Sequence, residues 1–388
     1  MKLNKSVLAV VLGLGMTCLT QAGNVYMSGS TAMRSIVYNT LIAPGVVFQS
    51  APAVTLFNGG GGSANYMAFV GTLVGGSGST TVQCHWSGSE AGIFNVASNT
   101  VVTVDFIDPS LLDGTDHGSA LPSLTQQHAV DLAMGDNDQP YSRTTKPTLT
   151  KKAPVGVITF KWIRNKGLWT GTTATNVTDS MIRQAFSGFC PRAVFSGVNG
   201  ETNDYVYVSG RNNQSGTRVN AFGTCGYGIL TLPKQIEIDN SGNMLDLDAP
   251  NGVYAGDFGY ESGGTLCKTM QGDTTTKSDF WNGGTGFSVI CYGGVGDADA
   301  GIALGATELT YNGVKFSPQA VSEGTYGFWG NEYIFAANNV VVNSEADKTY
   351  GRLAATTGIN AFCDGVKAIK LTDMHCTRPG PTGDPSHN

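Results

Sequence analysis

The alternation Tyr205-Val206-Tyr207-Val208, aromatic then β-branched, predicts a strand, and residues 218–222 predict the opening of a helix. Between them lies Gly210-Arg211-Asn212-Asn213-Gln214-Ser215-Gly216-Thr217. The same succession of strand, small-residue turn and helix recurs nearer the N-terminus. Residues 24–27 predict a strand, Ser28-Gly29-Ser30-Thr31 a turn, and residues 32–41 a helix with Met33, Ile36, Val37 and Leu41 on one face. Residues 81–86 predict another strand, and Ser87-Gly88-Ser89-Glu90-Ala91-Gly92 forms the turn before Ile93 and Phe94. Such junctions expose backbone N–H groups and hydroxyls at a helix N-terminus, where the macrodipole favours an anion. Taken singly, a Ser-Gly-Thr is as well explained as a helix cap.

Further strands are predicted over residues 54–57 and 101–106, and a short one over 130–138 ends on the carboxylates Asp136 and Asp138. The Gly-rich stretch 58–80, around the apolar segment 66–74, reads as a flexible insertion without chemistry of its own. The strongly apolar run 153–162 predicts a strand passing from one domain to another. Residues 178–186 predict a helix, 236–247 a hairpin, and 259–264 the start of one more helix. Residues 300–309 predict an apolar return strand. An Asn312-Gly313 turn precedes a short helix begun by Ser317-Pro318, residues 333–342 are β-rich, 351–366 predict a terminal helix, and 378–388, with three prolines, predict a disordered tail.

Composition narrows the class. At 388 residues the chain is long enough for two domains, and 41% hydrophobic against 13% charged residues argues for packed cores rather than disorder. A net charge of −6 gives no general attraction to nucleic acid or anionic membranes, so any anion site must be local. Residues 1–22 combine Lys2 and Lys5, an apolar run over 7–16, and the small residues Thr20 and Ala22. That is the pattern of a cleavable signal peptide, and it predicts a soluble periplasmic or secreted protein. Beyond Cys18 the cysteines are 84, 190, 225, 267, 291, 363 and 376, in no metal-ligand spacing. In an oxidising compartment they predict the bridges Cys363–Cys376, Cys267–Cys291 and Cys190–Cys225, with Cys84 free. No nucleophile elbow, phosphate loop or zinc-protease motif occurs, so the expectation is a binding protein without catalytic residues, metal or cofactor.

The motifs Ser28 to Ala32, Gly88 to Gly92, Val130 to Asp136 and Arg211 to Thr217 occur in one order, and in that order the chain resembles the phosphate-binding proteins of ABC phosphate importers. The likeness extends to residues 176–188 and 301–326. It implies an α/β, two-lobed periplasmic binding protein fold (class II) with its ligand cleft between the lobes. Lobe one would be 23–152 plus 304–377, and lobe two 153–303. The resemblance places Ser30, Thr31 and Ala32 at the phosphate through a backbone N–H and a hydroxyl, and Ser89 through its hydroxyl. It puts the carboxylate that accepts a hydrogen bond from the protonated ligand at Asp136, or at Asp138 if the register slips by two, and the grip of the second lobe at Arg211, Ser215, Gly216 and Thr217. Asn213 stands where the family commonly has an acid, Ala32 replaces a bulkier residue, and the Gly-rich stretch lengthens the gap between the first two motifs.

The set is coherent without the family. Helix N-termini, one Arg and several hydroxyls surround a tetrahedral anion, and a carboxylate facing that anion is tolerable when the ligand carries a proton. Phosphate has that proton at neutral pH; sulfate does not. The implied partners are inorganic phosphate and an inner-membrane ABC permease, with the protein itself a monomer and no nucleic acid involved. The rival readings are a surface, matrix or scavenging protein using the same fold without an importer, and a phosphatase-type enzyme.

Overall fold

Two long strands set the architecture. In the computed structural model, which describes residues 23–98, 101–169, 174–245 and 256–387, Lys151–Arg164 and Trp329–Ala336 run antiparallel side by side, from Trp329 opposite Thr159 to Ala336 opposite Lys151. Pro154 has no N–H for the ladder, and there the register shifts, between Glu332 and Tyr333. On one side Trp329–Ala336 pairs with Leu132–Gly135, which is followed by the parallel strands Gly23–Gly29 and Ser79–His85 and then the antiparallel Tyr66–Thr72 and Ala53–Phe57. On the other side Lys151–Arg164 pairs with Ser288–Gly294, which runs parallel to Tyr205–Ser209. One continuous sheet thus carries two α/β halves joined through the crossing pair. Trp162, Phe160, Phe328 and Trp329 fill the core where it crosses.

This topology positions the turns. Gly23–Gly29, Ser79–His85 and Leu132–Gly135 are parallel neighbours or share one, so their C-terminal ends lie at one edge, where ligand crevices form in α/β sheets. Their continuations are the helix Arg34–Ile42, the helix Ser89–Ser98 and the segment opening with Asp136. In the other half, Tyr205–Ser209 leads through Arg211 to the helix Gly216–Thr224.

Several expectations are corrected. The stretch 300–309 is not a strand: it ends the helix Val295–Ala303 and begins the strand Thr307–Tyr311, so Trp329–Ala336 makes the return crossing. An Ala/Gly-rich run is apolar in either conformation, and apolarity alone cannot choose. The segment read as a flexible insertion holds the sheet strand Tyr66–Thr72, whose Met67, Ala68 and Phe69 are fully buried. The terminal helix lies earlier, at Glu345–Ala354, capped by the Ser344 hydroxyl. All seven cysteines of the described residues are free, buried thiols. Cys363 faces the Val155 and Ile359 carbonyls while Cys376 faces that of Val321, so that pair is held apart under different elements. Cys267 and Cys291 do meet as neighbouring thiols. The signal-peptide reading falls on residues 1–22, outside the described residues.

Nor is the tail loose. Arg378 is 5% exposed, donates to the carbonyls of Gly327 (2.8 Å) and Trp329, and lies 4.5 Å from the Trp329 ring centre. Ser386–His387 pairs with Cys376–Thr377. Replacing Arg378 takes the guanidinium off the Trp329 ring and its donors from both carbonyls, leaving that of Gly327 only the Trp329 N–H (3.2 Å), so Arg378→Ala should cost about 2–4 kcal/mol in urea unfolding. A loss below about 0.5 kcal/mol, the size of an ordinary surface change, would mean the tail does not dock.

Candidate functional site

Asp136 is the node at which the motifs meet. It follows Leu132–Gly135 and is 2% exposed. Its carboxylate accepts from the Ser30 hydroxyl at 2.5 Å and the Thr217 hydroxyl at 3.2 Å. Its N–H donates to Ser89 Oγ (3.2 Å), and its carbonyl accepts from Asn220 Nδ2 (2.9 Å). Ser30 and Ser89 come from one half, Thr217 and Asn220 from the other. Asp138, the alternative acid, instead pairs with Lys152 (2.6 Å) and caps the turn Gln139–Tyr141.

The two halves approach backbone to backbone. A Cβ on Gly216 would lie 2.5 Å from Ser89 Oγ, 2.6 Å from Ser89 Cβ and 2.9 Å from Asp136 Cβ. Gly88, at φ +107°, would place one 2.4 Å from the Gln214 carbonyl, and the neighbouring Glu90 N–H donates to that same oxygen at 3.0 Å. Glycine at both positions is what allows the contact. Farther out, Arg143 reaches across to Asp257, which also accepts from Arg218.

Ser215 is buried, and its hydroxyl accepts from the Arg218 N–H at 3.3 Å, capping its own helix as the plainer sequence reading expects. Thr31 and Ala32 are half-buried and line a cavity of about 350 Å³ whose walls carry Arg34, Asp297 and Lys367. Arg211 is 2% exposed; its Nε donates to the Tyr260 carbonyl (3.0 Å) and its Nη2 to that of Glu261 (2.7 Å). Burial lowers its pKa, and Asp297 is the strongest opposing charge, ahead of Tyr292 and Asp136. Asp297 is in turn raised by burial and lowered by Arg211 and Arg34. The acid absent at Asn213 is thus supplied beside Arg211 from the helix Val295–Ala303.

Ser30, Ser89, Asp136, Ser215, Gly216 and Thr217 therefore converge on one buried junction, with Thr31 and Ala32 on the adjoining cavity and Arg211 fixed against the Tyr260–Glu261 backbone. Sequence reasoning missed Asn220, Asp297 and Glu332. Glu332 had a signal: it is the one acid in the apolar, β-rich stretch 328–337.

No family model and no curated relative matches the chain. The fold is that of a two-lobed α/β substrate-binding protein. A candidate phosphate ABC transporter substrate-binding protein from Clostridium perfringens, solved with bound phosphate, covers 90% of this chain and 100% of its own at 12% identity and a TM-score of 0.51. An ABC-type phosphate transport receptor from Vibrio cholerae is also similar, over 85% of this chain and 93% of its own, at 12% identity and a TM-score of 0.44. At such identities the likeness, carried by the first of these, speaks to the fold.

Proposed function

We propose that this chain is an exported phosphate-binding protein that captures inorganic phosphate between its lobes and delivers it to an ABC permease of the inner membrane, acting as a monomer. The observation that carries the reading is the Asp136 node, where hydroxyls of both lobes and the N-terminus of Gly216–Thr224 surround one buried carboxylate. Hydroxyls can turn from Asp136 to a ligand oxygen, and the backbone N–H groups of Gly216 and Thr217 add donors at the positive end of the helix. Asp136 is an acceptor, so the oxyanion it faces must bring a proton. Lys151–Arg164 and Trp329–Ala336, the strands shared by both lobes, are the hinge about which the cleft closes. The protein's part is capture and release, with no bond made or broken.

Competition between phosphate and sulfate tests this reading. Asp136→Asn supplies an amide donor where the parent has an acceptor, so it should tighten sulfate by about tenfold and weaken phosphate by less than tenfold, with parental phosphate binding steady or stronger from about pH 6 to 8. Unchanged discrimination in the variant would remove Asp136 from the site.

A further inference from the structure

A buried acid on the hinge stands directly behind the node. Glu332 is 0% exposed, and neither of its carboxyl oxygens meets a donor from the protein. It precedes Tyr333, which pairs with Gly135, and so lies across from Asp136. The register shift falls at this same step, and bulges re-aim side chains. The Glu332 carboxyl lies within reach of the Asp136 carboxylate, so that a protonated Glu332 can donate to it. The charge of Asp136 acts on Arg211 of the other lobe, and that of Glu332 on Cys363, a thiol just after the turn Ile359–Phe362 that burial pushes up to about 12. Two ionised carboxylates in this position would repel in a dry site, and one would have no donor at all. Burial first, then the Asp136 charge, hold Glu332 well above the usual carboxylate range.

We propose that Glu332 is a positioning residue of the oxyanion site: its protonated carboxyl donates to Asp136 and keeps Asp136 an acceptor, which is what makes the cleft demand a ligand that carries a proton. The selectivity half of this statement rests on the phosphate reading above; the shared proton does not. Because the folded protein holds the Glu332 proton more tightly than the unfolded chain, its contribution to stability is present in full below the ordinary Glu pKa. That contribution is lost as pH rises through the folded value. Parental stability should therefore fall with rising pH relative to Glu332→Gln, whose amide donates to Asp136 at every pH.

Infrared difference spectroscopy of the parent against Glu332→Gln at neutral pH reads the proton directly. A protonated-carboxyl band present in the parent and missing from the variant is expected; its absence from the parent overturns the proposal whether or not the protein binds phosphate. Phosphate–sulfate competition reads the role. Glu332→Gln should keep parental discrimination within about twofold, whereas Glu332→Leu, with no donor, should lose about tenfold. Parental discrimination in Glu332→Leu overturns the proposal, and if that variant does not fold, the infrared band and the pH dependence of Glu332→Gln decide. A parent that shows the band but binds no phosphate would support the shared proton and contradict the phosphate reading.

Discussion

Gly216→Ala should raise the phosphate dissociation constant by about a hundredfold or more while leaving the thermal midpoint equal to or above that of the parent. The added methyl would sit 2.5 Å from Ser89 Oγ and 2.9 Å from Asp136 Cβ, inside contact distance of the opposite lobe. Overpacking a tight contact costs about 1–3 kcal/mol, and the lobes can avoid it by staying apart, which also forfeits the hydroxyls brought from each side. Within its own helix, alanine is the better residue by roughly 0.5–1 kcal/mol. Binding and stability thus move in opposite directions, as a simple folding defect would not. Titration and calorimetric melting of the same sample check this; a change in dissociation constant under about threefold, less than 1 kcal/mol, would show that the lobes do not close on this contact to bind.

Arg211→Ala should cost on the order of 3 kcal/mol or more of phosphate binding, again about a hundredfold, because a buried charge that organises a desolvated anion site is among the strong contributors. The guanidinium acts through a fixed position. It ties the Tyr260 and Glu261 carbonyls and offsets Asp297, so its loss removes a donor from each carbonyl, leaving that of Tyr260 only the Asn212 N–H, and leaves a buried acid with less compensation. Arg211→Lys keeps the charge but not the planar fork, and should recover part of the loss. Titrations of both variants decide the point, and a change under about threefold for the alanine variant would place Arg211 outside the binding site.

What could be read from the chain was local. Gly29-Ser30-Thr31 and Gly210 to Thr217 announce strand ends and helix starts because hydroxyl caps and glycine turns act over a few residues. Their order then suggested that Ser30, Asp136 and Thr217 share a site, and these three do meet at hydrogen-bond distance. What stayed hidden was non-local. Glu332 faces Asp136 because a strand nearly two hundred residues later returns beside it, and no spacing rule reports that. Asp297 reaches Arg211 from another helix. The Cys363–Cys376 pairing failed for the same reason, since closeness in sequence placed the two together where the fold holds their thiols against different carbonyls. The tail looked disordered from its prolines, but Arg378 anchors it on Trp329.

Isothermal titration of the chain, freed of carried-over anion by unfolding and refolding, with inorganic phosphate in a background of sulfate tests the central claim most directly. One site per chain, a saturable heat, and little displacement by millimolar sulfate are the result expected. No heat with phosphate, or equal binding of the two anions, would contradict it.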